Sequence, residues 1–200
     1  MYKKYIAEAL GTFALTFIVL LAVSCGSKVG IAVPVIAALT VMLCVYTLGP
    51  VSGSHLNPSV TLGLLSIKKI SGVDAFRYIV AQFGGAVVAV VFAQVFLVSY
   101  TIAPATFVPS VFLAEIVGAF FFNLGIAAVV YEKVKESMFG IVIGGSLLLG
   151  LLFSSLAGAA GILNPAVAFG LGHVSLIYMV APIVGAVLAY KVYDYLILKK

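Results

Sequence analysis

Charge is what this chain has least of. Only 8% of its 200 residues are Asp, Glu, Lys or Arg, and just six are acidic. A water-soluble domain carries about a quarter charged residues, so this chain cannot cover a water-facing surface. With 64% hydrophobic residues and a mean hydropathy of +1.29, it reads as an integral membrane protein. The weakly alternating segments of about ten residues that mark a membrane β-barrel are missing. The apolar stretches are long and continuous, which selects helices. There is no room for a separate soluble domain. No metal-ligand cluster, nucleophile–base pair or glycine-rich phosphate loop is visible, so nothing points to an enzyme, a resident metal or a cofactor.

The net charge of +5 is not a nucleic-acid signal, because its placement follows topology. With six spans, every Lys and Arg except Lys28 falls on one side or near its boundary. By the positive-inside rule that side is cytoplasmic, and both termini with it. The minimal loops point to a cell membrane, inner or plasma. Cysteine is scarce too. Cys25 is expected near the outer end of the first span and Cys44 deep in the second, roughly 20 Å away by helical rise. A disulfide needs Cα atoms about 6 Å apart, so no bridge is expected. Lys3-Lys4 followed by an apolar run and Ala22-Val23-Ser24-Cys25 resembles a lipoprotein signal in outline. Glu8 inside the run argues against that reading, as does the repeat described next.

Spans are expected at 5–25, 30–49, 75–99, 110–131, 138–157 and 175–197. Two further apolar runs, 57–67 and 164–172, are too short to cross a bilayer: ten helical residues cover about 15 Å, half the hydrocarbon core. Each opens on an Asn-Pro pair, Asn57-Pro58-Ser59 and Asn164-Pro165-Ala166. Asn suits a helix N-cap, since its side-chain oxygen accepts from the first free N–H groups, and Pro suits the first helical position. A half-membrane helix persists only where it is buried in protein or lines an aqueous cavity.

The chain is an internal duplication. Ala7-Glu8-Ala9-Leu10-Gly11-Thr12-Phe13 matches Ala114-Glu115-Ile116-Val117-Gly118-Ala119-Phe120, with Glu8 and Glu115 107 positions apart, as are Asn57 and Asn164. Further on, Tyr78-Ile79-Val80-Ala81 matches Tyr178-Met179-Val180-Ala181, and Gly85-Ala86-Val87 matches Gly185-Ala186-Val187, now 100 positions apart. The repeats run over 1–103 and 108–200 of a single channel domain. Each holds three spans, so the second enters the membrane inverted, and the two short helices meet N-terminus to N-terminus near the midplane, a known channel and transporter design.

These residues, with Ser52-Gly53-Ser54-His55-Leu56 leading into the first Asn-Pro and Val60-Thr61 following it, resemble the aquaporin and aquaglyceroporin family, the major intrinsic proteins, over nearly the whole chain. The resemblance implies an all-α membrane fold of six transmembrane helices and two re-entrant half-helices. It also implies one pore per subunit and a homotetramer, with water and small uncharged solutes as permeants. Independently of the family, two half-helix N-termini each present up to about half a positive charge at mid-membrane. That repels cations, while Asn57 and Asn164 offer N–H donors to a neutral solute.

Glu8 and Glu115 are acids in apolar spans, where they are costly and usually functional. Proton carriage is one reading; bracing the unpaired N–H groups of the re-entrant loops is favoured, and the family implies the same. His55 either lines the cytoplasmic vestibule or braces its loop. His173, at the end of the second short helix, reads as boundary polarity. Gly11, Gly84, Gly85, Gly118, Gly144, Gly145 and Gly185 fit close helix crossings.

Two positions depart from the family. Ser59 stands where Ala is usual and adds a hydroxyl at the junction. Val167 stands where the family usually has the Arg of the outer filter. The other filter positions fall at Ala37, Leu152 and Gly161, which makes the outer constriction wide and apolar. The main expectation is a passive channel for water, glycerol-like polyols, urea or ammonia. An ion-conducting member, a non-conducting scaffold whose apolar constriction dewets, and a coupled transporter using Glu8 and Glu115 are the alternatives.

Overall fold

The computed structural model describes residues 2–25, 31–96 and 107–198. They form nine α-helices: α1 (Lys3–Cys25), α2 (Val33–Thr47), α3 (Gly49–Ser52), α4 (Pro58–Ser66), α5 (Gly72–Ala93), α6 (Pro109–Val130), α7 (Phe139–Leu156), α8 (Pro165–Gly170) and α9 (Leu176–Leu198). A 3-10 turn, Glu136–Met138, leads into α7. No strand occurs among the described residues. The Cys25 side chain, Lys28 and the expected end of the third span lie outside the described residues.

Five helices, α1, α5, α6, the segment Glu136–Leu156 containing α7, and α9, are long and apolar enough to cross a membrane. The sixth apolar helix, α2, has 15 residues, about 22 Å by helical rise, and is shorter than the expected 30–49. Pro34 sits in its first turn and fixes the start. At the other end Leu48 breaks the helix before Gly49-Pro50, and the chain restarts as the one-turn α3. Both expected short helices are present, α4 on Asn57 and α8 on Asn164.

In lipid, apolar burial does not drive helices together, so close backbone approach through small residues does. The contacts repeat at the offsets of the sequence. A Cβ on Gly85 of α5 would lie 2.2 Å from the Ala9 carbonyl oxygen of α1, and one on Gly185 of α9 would lie 2.2 Å from that of Ile116 in α6. Gly11 faces Leu56, and Gly118 faces Leu163. Each short helix crosses to the other half: Gly63 of α4 packs on Ala186 of α9, and Gly170 of α8 on Ala86 of α5. Gly84 and Gly145 depart from expectation, since a Cβ at either would meet nothing within 4 Å. Each sits one residue from its crossing glycine, which turns it about 100° out of the helix contact.

Candidate pore at the junction of the two short helices

The two short helices meet end to end because each N-cap asparagine holds the other's loop. Asn57 Nδ2 donates to the Leu163 carbonyl at 2.9 Å, and Asn164 Nδ2 donates to the Leu56 carbonyl at 2.9 Å. The amide oxygens cap their own helices. Asn57 Oδ1 accepts from the Ser59 N–H at 2.8 Å, and Asn164 Oδ1 accepts from the Ala166 and Val167 N–H groups at 3.0 and 3.4 Å. The Ser59 hydroxyl also donates to Asn57 Oδ1 at 2.8 Å and lies 3.3 Å from the Leu163 carbonyl. An Asn amide has two N–H donors. One on each residue is spent across the junction, which leaves one apiece.

The loops that carry these carbonyls are held in a costly conformation. Ser54 and Leu56 have φ of +48° and +52°, and the equivalent Gly161 and Leu163 have +64° and +56°. A left-handed residue with a Cβ costs about 1–2 kcal/mol. Each loop is anchored on one buried carboxylate. Glu8 accepts from the Ser52 hydroxyl (2.7 Å), the N–H groups of His55 (3.0 Å) and Leu56 (2.7 Å), and Gln82 Nε2 (2.8 Å). Glu115 accepts from the Ser154 hydroxyl (2.9 Å) and the N–H groups of Gly161, Ile162 and Leu163 (3.0, 3.1 and 2.9 Å). Both acids have zero exposure. Each is occupied by four donors from its loop and the helices around it, and neither lines the two cavities beside the junction. Tyrosines complete the frame: Tyr78 donates to the Ser52 carbonyl at 2.7 Å, and the Tyr178 hydroxyl accepts from the Ala160 N–H at 3.3 Å.

Two cavities flank the junction. The upper, about 360 Å³, is walled by α1, α2, α6, α7 and the second loop, with both asparagines in its wall. The lower, about 510 Å³, opens past Lys69, Glu132 and Glu136. They share Val41, His55 and Phe122, the neck between them. None of the described residues lining the upper cavity is charged at neutral pH. His55 Nδ1 lies 3.1 Å from the Thr61 hydroxyl, and that hydroxyl donates to the Asn57 carbonyl at 3.1 Å and accepts from Gln82 Nε2 at 3.0 Å. Thr61 has one proton, so His55 Nδ1 is the donor and Nε2 is left unprotonated.

Ala37, Gly161 and Val167 line the upper cavity; Leu152 does not. On α7 the wall is Leu147, Leu151 and Ser155, one face at a spacing of four. Leu151 is 4% exposed while Leu152, a residue further round, is 39% exposed on the outside. The short loop between α7 and α8 gave no anchor for that register. His173 also lines the upper cavity, although the sequence marks it only as boundary polarity. The signal available was Gly172, the residue that turns the chain back after α8.

A protein-family model described as major intrinsic protein matches residues 1–193. The aquaporin AqpM of Methanothermobacter thermautotrophicus is 33% identical, covering 97% of both chains. The glycerol uptake facilitator protein-like 6 of Lactiplantibacillus plantarum is 33% identical over 94% of both. Among solved structures, the aquaglyceroporin from Plasmodium falciparum superposes with a TM-score of 0.74 at 25% identity, covering 98% of this chain and 96% of that one. Paired Asn-capped half-helices and a match along almost the whole chain have one explanation: this protein belongs to the major intrinsic protein family.

Proposed function

We propose that the chain is a passive membrane channel for water and small neutral solutes, with its conduit running past the two asparagines. The observation that carries this is the state of those amides. Each has its oxygen capping a helix and one N–H given to the opposite loop, so the free N–H on each is a fixed donor in a cavity wall whose described residues carry no charge. A molecule passing there exchanges hydrogen bonds with fixed partners and meets no binding charge. The positive ends of two helices oppose cations at the same point. A water that accepts from both amides cannot readily donate along the file, which obstructs proton hopping. The relatives' names, aquaporin and glycerol uptake facilitator, support water and glycerol as candidate permeants.

In this reading Ala37, Leu151, Gly161 and Val167 form the constriction at the upper, outer mouth. His55 stands at the inner vestibule, and Glu8 and Glu115 hold the loops. The termini lie on the cytoplasmic side, as the placement of Lys and Arg supports, and a homotetramer follows the family resemblance. Val167 favours one alternative, ion conduction, because it removes the charge that would repel cations at the mouth. Stopped-flow light scattering on proteoliposomes tests the proposal. Water or glycerol flux well above empty vesicles is expected. Flux at the empty-vesicle level for both would refute it, and single-channel current in a planar bilayer would favour the ion reading.

A further inference from the structure

None of the described residues at the upper mouth is a charged donor, yet the chain brings a polar ring to it by a route that the repeat does not predict. The position equivalent to His55 in the second half is Ile162, which is apolar. The imidazole comes instead from the far end of α8. That helix is six residues long and closes in a Schellman turn: Gly172, with φ of +73°, donates its N–H to the Phe169 carbonyl at 2.9 Å, and His173 donates its own to the Ala168 carbonyl at 2.8 Å. Such a turn folds the following residue back over the helix. His173 therefore lines the same cavity as Val167 and Leu151. Its ring packs edge-on against Tyr178 with centroids 5.3 Å apart, as the His55 ring packs on Tyr78, the repeat partner of Tyr178, at 5.0 Å. The neck and the upper mouth thus each hold a histidine seated on equivalent tyrosines.

The two rings differ in one respect. His55 Nδ1 is engaged by Thr61, whereas His173 Nδ1 is buried with no hydrogen-bond partner. Burial lowers the His173 pKa below the usual histidine range, so the ring is neutral at pH 7. A neutral imidazole carries one donor and one acceptor. Nδ1 is closed off from a water-sized molecule, so a permeant in the cavity that His173 lines meets the other ring nitrogen, Nε2, which is neither buried nor bonded within the protein.

We propose that His173 is a specificity-determining residue of the channel, the hydrogen-bonding group by which the upper mouth selects hydroxyl- or amide-bearing neutral solutes over purely size-matched ones. This rests on the channel reading. A solute entering an otherwise apolar constriction sheds water, and His173 returns one hydrogen bond. A polyol loses more than water does when that bond is removed, because it has more polar groups to desolvate and less freedom to reorient.

The test compares glycerol and water permeability of proteoliposomes carrying wild type, His173→Phe and His173→Gln. Phe keeps the ring volume and the Tyr178 contact; Gln keeps a donor and an acceptor. Loss of one hydrogen bond predicts a roughly three- to tenfold fall in glycerol permeability for the Phe variant, with a smaller change for water and near-normal glycerol flux for the Gln variant. Equal glycerol-to-water ratios in wild type and the Phe variant would overturn the proposal, as would equal losses in both variants. Wild-type vesicles with no flux would instead overturn the channel reading, and this assignment with it. If the Phe variant cannot be purified folded, diethyl pyrocarbonate takes its place. Acylation should lower the glycerol flux of wild type more than that of His173→Gln, whose remaining loss comes from His55 in the same cavity, and equal sensitivity of the two would refute the assignment.

Discussion

Replacing Glu115 by Gln changes one atom and tests the frame of the pore. The carboxylate serves four donors: Oε1 accepts from the Ser154 hydroxyl and from the N–H groups of Gly161 and Ile162, and Oε2 accepts from the N–H of Leu163 at 2.9 Å. A Gln amide has a single accepting oxygen. Placed at Oε1 it keeps three bonds, and its NH₂ then faces the Leu163 N–H donor to donor. Placed the other way it strands two backbone donors, so the first orientation prevails. One buried unpaired N–H costs about 1–3 kcal/mol, and at ~2–4 °C per kcal/mol for a chain of this size the melting point should fall by roughly 2–12 °C. Glu115→Leu strands all four donors and, by the same rule, costs about 4–12 kcal/mol, comparable with a protein's whole stability. The damage also crosses the junction. Leu163 is the residue whose carbonyl holds Asn57, so Glu115→Gln should lower water permeability as well. Thermal unfolding in detergent and stopped-flow flux of the same preparation are the assays. A melting point and flux equal to wild type would refute the argument that this carboxylate fixes the loop.

Three further outcomes are expected. Gly85→Ala puts a Cβ 2.2 Å from the Ala9 carbonyl oxygen and should destabilise by about 1–3 kcal/mol as α1 and α5 part; the neighbouring Gly84→Ala meets nothing and should be neutral or gain up to about 1 kcal/mol of helix propensity, so equal melting points would contradict the crossing. Ser59→Ala removes the 2.8 Å bond to Asn57 Oδ1 but leaves the Ser59 N–H cap, so stability should drop by about 0.5–1.5 kcal/mol with water flux retained; abolished flux would mean that the hydroxyl itself contacts the permeant. Val167→Arg fills the upper mouth with a charged side chain and should lower glycerol permeability more than water permeability; unchanged solute selectivity would remove Val167 from the constriction.

The class, the helices and the inverted pairing of the two short ones follow from local information. Charge scarcity forces the chain into lipid, and an Asn-Pro pair opening a short apolar run offers an N-cap and a first helical residue, so α4 and α8 start where the residues say. The recurring 107-residue spacing holds from the sequence down to Leu56 and Leu163, which share a left-handed φ. Register was harder to read. α2 stops at Thr47, two residues short of the expected end: Gly49-Pro50 marks the break in the sequence, but not that Leu48 already leaves the helix ahead of it. On α7, where Leu148, Leu149, Leu151 and Leu152 are alike in hydrophobicity, no residue distinguishes the cavity face from the lipid face; helix rotation against α2 and α6 decides it, and selects Leu151.

By itself the sequence determined that this chain lives in a membrane, that it is a duplicated all-helical protein, and that two asparagines cap two helices too short to span. Those properties depend on composition and on contacts between near neighbours. Only the tertiary structure decided what the caps do for each other. That Asn57 holds the loop of Asn164 and the reverse, that Glu8 and Glu115 are consumed by loop donors, and that His173 faces the cavity are all consequences of side chains meeting across distant stretches of chain, at distances that no local pattern encodes.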